Sequence, residues 1–139
     1  MSPYQYVVLR CVPRVDREEF LNVGVVLYCE EVGFLEVAWH VDRARLSAIA
    51  PEVDHAAVCQ GLEFVAGVCR GESRLGEVAG KERGVRFGFL KAPRSTVAQP
   101  GPVHGGLTGD PATELERLLT VLVRSRRPRV GSPSATPTR

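Results

Sequence analysis

VGVVLYCEEVGFLEVAWH, residues 23–40, decides the fold. Residues 23–29 are apolar on both faces, the pattern of a strand covered from both sides. Glu30 to Gly33 then makes a glycine-containing turn. Residues 34–40 alternate, with Leu35, Val37 and Trp39 on one face and Glu36, Ala38 and His40 on the other. Two such strands joined by a short turn form an antiparallel hairpin. Trp39 falls in the apolar register and is assigned to the core rather than to a base-stacking surface.

Working outward, residues 4–12, YQYVVLRCV, are rich in aromatic and β-branched side chains and stop at Pro13, which predicts a strand. Asp16 to Glu19 has the D-x-x-E spacing of a helical capping box, so a single turn is expected there. Asn22 and Gly24 are expected to set a bend or bulge where the next strand starts. Downstream, Asp42 caps a short helix that runs to Ala50 and is stopped by Pro51. Asp54 opens a longer helix, with Val58, Leu62, Val65 and Cys69 on one stripe and Gly71 as its stop. Gly61 and Gly67 inside it each cost roughly 1 kcal/mol against alanine, which implies close approach to the sheet. Residues 72–84 read as a loop and VRFGFL, 85–90, as a further short strand.

Lys91 to Thr113 follows, a polar stretch of 23 residues with four of the ten prolines and four of the fourteen glycines. It reads as a long irregular loop, an uncommon thing inside a compact domain. Asp110 and Pro111 then start a helix whose buried stripe is Leu115, Leu118, Leu119 and Leu122, with Glu114, Glu116, Arg117 and Thr120 facing out. The fold class is α+β: an antiparallel sheet of three to five strands packed by the two main helices on one face. Residues 1–123 make a single domain, and 124–139 a disordered basic tail.

The chain of 139 residues is 44% apolar, ordinary for one globular core. Its net charge of +2 hides an asymmetry: every carboxylate lies at or before Glu116, whereas five arginines follow from Arg124 onward. The mildly acidic body argues against nucleic acid as partner. No leader pattern opens the chain and no apolar run approaches the ~18 residues of a membrane span, so a cytoplasmic protein with no membrane association is expected. Cys11, Cys29, Cys59 and Cys69 form no C-x-x-C motif, and the last two share a helix at ~15 Å separation, too far for a disulfide. The histidines have no ligand spacing to them, so no metal and no cofactor are expected.

Candidate binding residues concentrate in the long loop. Arg94, Ser95 and Thr96 offer a guanidinium and two hydroxyls suited to phosphate or carboxylate. Gln99 and His104 add an amide and an imidazole, and Gly105 and Gly106 permit backbone N–H groups to converge on an anion. The competing reading is a connector whose polar groups satisfy its own backbone. Glu19 and Asn22, with Glu18, form a second polar cluster before the central strand. A Ser95–His104–Asp110 set has no spacing that demands catalysis, and no catalytic residue is assigned. Neither G-x-x-x-x-G-K-[ST] nor G-x-G-x-x-G is present.

The segments EEFLNVGVVLYCEEVGFL and KAPRSTVAQPGPVHGGLTGD, with YQYVVLR before them, resemble a bacterial family, the domain of unknown function numbered 3037. The likeness spans roughly residues 4–123. What it implies is an accessory or interaction module, since similar proteins look like companions of HipA-type kinase-like proteins. The alternative is an enzyme or ligand-binding domain for a phosphorylated or nucleotide substrate that uses the Arg94–His104 loop.

Overall fold

A computed structural model describes residues 1–14, 19–92 and 98–124. Four antiparallel strands form one sheet: β1 (Ser2–Arg14), β2 (Glu19–Cys29), β3 (Phe34–Trp39) and β4 (Ala98–Thr108), in the order β3-β2-β1-β4. The hairpin is β2–β3, paired from Gly24↔Trp39 to Cys29↔Phe34, and Gly33 closes its turn at φ 65°. At the start of β2, Leu9 pairs with Gly24 and Arg10 with Asn22, so Val23 is the extra residue of a bulge. The bulge needs its glycine: a Cβ on Gly24 would come 3.1 Å from both Ala38 O and Trp39 Cβ.

The helices are α1 (Arg43–Ile49), α2 (His55–Arg70), α3 (Arg83–Lys91) and α4 (Pro111–Leu119), the last continued by a π turn over Thr120–Arg124. Three of them start where their caps predict, with Asp42, Asp54 and Asp110 each accepting a bond from a first-turn backbone N–H. α2 ends at Gly71, whose φ of 72° is the left-handed stop.

Helices cover both faces of the sheet, not one. Leu46 of α1, Val58, Leu62 and Val65 of α2, and Phe87 and Leu90 of α3 pack with Val7, Leu9, Val26, Leu35 and Val37 on one side. Leu115, Leu118 and Leu119 of α4 pack with Tyr4, Val25, Leu27 and Cys29 on the other. The physical reason lies in β2. Apolar on both faces, it would leave Val25 and Leu27 in water if both long helices shared one side, and each buried Val or Leu contributes about 1.5–3 kcal/mol. Trp39 is partly buried against the first core, in the face its alternation predicts.

Two further expectations are corrected. Residues 85–90 are helical, not a strand: Arg86, Phe87 and Leu90 are buried at helical spacing within α3. Arg86 supplies the reason for the helix. Its Nε donates to Lys81 O at 2.9 Å, and its Nη1 donates to Val68 O and Cys69 O at 2.9 and 2.7 Å. One guanidinium thus satisfies the C-terminal carbonyls of α2 and fixes α3 beside it. Nor is Lys91–Thr113 an irregular loop. Eleven of its residues form β4, which pairs along β1 from Ser2↔Thr108 to Cys11↔Ala98. A Cβ on Gly61 would face the sheet, 4.0 Å from Ala98 Cβ, whereas one on Gly67 would run into Leu75 of the following turn.

Candidate functional site

The α4 face of the sheet is covered unevenly. α4 and its π turn lie over β2 and β3, and at β1 Tyr4 bonds Glu114 Oε2 at 2.5 Å. Glu114 is held in turn by Arg117 at 3.0 and 2.6 Å. Burial, followed by that carboxylate, pushes the Tyr4 phenol up to about 12. The Arg117 bonds hold the Glu114 carboxyl below its usual range. This group fastens the helix to the sheet.

Among the described residues, the same face continues beyond Tyr4 as an open corner. Strand alternation places Tyr6 and Arg10 of β1 on it, and the register places His104 beside Tyr6 and Gln99 beside Arg10. On the other side Arg10 pairs with Asn22 of β2, so Asn22, Arg10 and Gln99 form one polar row across three strands. Phe20 completes the corner, 47% exposed, with the Arg10 guanidinium carbon 4.3 Å above its ring. A Cβ on Gly101 would lie 2.9 Å from that carbon, so the glycine makes room for the guanidinium opposite the ring. Arg10 sits in a slot between an aromatic face and a bare backbone.

Arg10 Nε is buried without a hydrogen-bond partner, as is Asn22 Oδ1, while Asn22 Nδ2 donates to Leu122 O at 3.0 Å. Among the described residues no carboxylate forms an ion pair with Arg10. His104 stacks on Tyr6, with ring centroids 5.2 Å apart and planes inclined by 30°. The corner therefore offers a planar cation, two exposed ring surfaces and an amide row.

Of the residues singled out from sequence, Gln99, His104 and Asn22 share this corner. Gln99 and His104 stand at opposite ends of it, about 15 Å apart along β4, so they do not converge on one small group. Arg94, Ser95 and Thr96 lie outside the described residues, as do Asp16–Glu18. Glu19 is the first residue of β2, and its side chain is likewise outside them. Asp110 is occupied as a cap: it accepts from Thr113 N and Oγ1 at 3.3 and 2.8 Å, and those bonds lower its carboxyl. It is no orienting acid for His104.

Arg10 and Phe20 were missed as site residues. A signal existed: Arg10 is a charge inside the apolar run YVVLRCV, in register with Tyr4 and Tyr6, and a charge there needs a reason.

All four cysteines are free, and Cys59 and Cys69 share α2 as predicted. Cys59 Sγ lies 3.8 Å from His55 Nδ1, which also lies 3.1 Å from Arg43 Nη2. Among the described residues no three His, Cys, Asp or Glu side chains gather as a metal-binding group. No described helix is long and apolar enough to cross a membrane.

Residues 6–123 match the family described as Protein of unknown function (DUF3037). The chain belongs to that family. The match takes in β1 from Tyr6 onward together with β2, β3, β4 and helices α1 to α4, so Tyr6, Arg10, Phe20, Asn22, Gln99 and His104 of the corner all lie within the DUF3037 domain. No curated protein and no solved structure matches the chain.

Proposed function

We propose that this DUF3037 protein is a non-catalytic accessory module, acting in the cytoplasm, that docks on a HipA-type kinase-like protein through the open corner. One observation carries the reading: Phe20 is half in water with a guanidinium stacked on it, and no carboxylate is paired with that guanidinium among the described residues. Exposed aromatic and arginine side chains of this kind are the chemistry that dominates binding at protein interfaces. Tyr6, His104 and Asn22 extend the surface on both sides of the pair. The family resemblance supplies the class of partner. Co-expression and pull-down with the kinase-like protein is the test, and absence of association at micromolar concentration refutes the reading. His104→Ala is expected to weaken the complex without lowering the melting temperature, because His104 is exposed.

The Arg10 guanidinium, with no carboxylate partner among the described residues, also favours a second reading, a domain for a phosphorylated or nucleotide ligand that uses the Arg94–His104 loop. Melting-temperature shifts with nucleotides and phosphosugars separate the two. A partner-only module shows no shift beyond generic salt effects.

A further inference from the structure

β4 is an edge strand, and only half of it is protected. Long edges invite pairing with other chains, and proteins blunt them with charge, proline, bulges or short length. β3, the other edge, has six residues and carries Glu36. In β4 the protection is confined to the first half: Pro100, Pro102 and the bulge opposite Val7–Leu9. From Val103 to Gly109 there is no proline and no Asp, Glu, Lys or Arg, in a chain that is 24% charged. Val103 and Leu107, 42% and 64% exposed, lie on the same face of this stretch.

We propose that two copies of this chain pair through residues 103–107 of β4, antiparallel and centred on Gly105, to join two four-stranded sheets into one. A two-fold axis at Gly105 sets Val103 opposite the partner's Leu107, and the same apolar contact is made again on the other side of the axis. On the opposite face His104 stands across from the partner's Gly106. A Cβ on Gly106 would lie 2.8 Å from Tyr4 Cζ, so a tyrosine ring already covers that glycine and meets the incoming imidazole.

Charge selects a second copy as the occupant. A two-fold contact sets a strand against itself, so edge charges would face their own kind, and like charges directly opposite are destabilising. This edge has none. A contact of five residues a side belongs with the small interfaces of weak, reversible association.

Sedimentation equilibrium of the full chain from about 2 to 200 µM tests this, and a monomer–dimer equilibrium is the expected result. The double variant Val103→Lys, Leu107→Lys changes only exposed side chains. It is expected to keep the wild-type melting temperature and weaken the dimer at least about tenfold. Register is read by Gly105→Cys under mild oxidation. Opposed Cα atoms lie about 4.5–5.5 Å apart in such a pair, within disulfide range. Gly105→Cys should therefore yield a covalent dimer that Val103→Cys and the wild type do not. A monomer across the whole range overturns the proposal, as does a dimer indifferent to the two lysines or cross-linked through Val103→Cys instead.

Discussion

Replacing Arg86 by methionine keeps most of the aliphatic stem and removes every donor. Arg86 is 8% exposed and bonds three carbonyls, those of Lys81, Val68 and Cys69. Val68 O keeps a second partner, the Gly71 N–H at 3.1 Å. Lys81 is exposed, so its carbonyl gains water in exchange. Cys69 belongs to a buried residue, and its carbonyl loses the shortest of the three bonds. A buried carbonyl left without its partner costs about 1–3 kcal/mol. Loss of a cation at the C-terminus of α2 adds up to about 2 kcal/mol. The expected loss is about 3 kcal/mol, equivalent to a fall in Tm of roughly 10 °C for a domain of this size. Urea unfolding followed by circular dichroism measures it, with exposed Arg45→Met as control, expected within about 0.5 kcal/mol of wild type. A loss under about 1 kcal/mol for Arg86→Met would show that water replaces the guanidinium and that Arg86 does not hold α2 and α3 together.

Two further outcomes follow from the same core. Gly71→Ala places a Cβ on a residue at φ 72°, 3.2 Å from Ala79 O and 3.3 Å from Arg86 Nη1. It should destabilise by about 1–2 kcal/mol in urea unfolding, and a neutral result would mean the chain re-forms the stop another way. Burial pushes the Cys69 thiol from 9.0 up to about 12, so between those values the folded state holds a proton that the unfolded chain releases. The Cys69 contribution to stability is therefore fully present below pH 9 and is lost as pH rises toward 12, a loss that Cys69→Ala should reduce. Identical alkaline profiles for the two proteins would contradict this assignment.

Local signals carried much of the fold. The hairpin was legible because alternation and a glycine turn act within residues 23–40, and α1, α2 and α4 because Asp42, Asp54 and Asp110 cap their own next turns. β4 was not legible. Its partner β1 begins more than ninety residues earlier, and its prolines and glycines are the composition of a loop. They are tolerated because an edge strand needs backbone donors on one side only. α3 was misread because Val85, Phe87 and Phe89 alternate like a strand, whereas the contact that decides the helix is Arg86 reaching α2. The two-sided cover of the sheet was available in principle: a β2 apolar on both faces conflicts with two helices on one face. At the site, sequence picked out Asn22, Gln99 and His104, which the sheet brings onto one face. It missed Arg10 and Phe20, whose stacking depends on the β1–β2 register and on the space left by Gly101.

If a kinase-like partner docks on the open corner, Phe20 beneath the Arg10 guanidinium lies at the centre of that contact. Titration calorimetry of the kinase-like protein with wild type and with Phe20→Ala tests it most directly. The account predicts association at micromolar concentration or tighter, and at least about tenfold weakening by Phe20→Ala, with the melting temperature of the variant unchanged. Equal affinity for the two proteins, or no heat of binding to either, would contradict it.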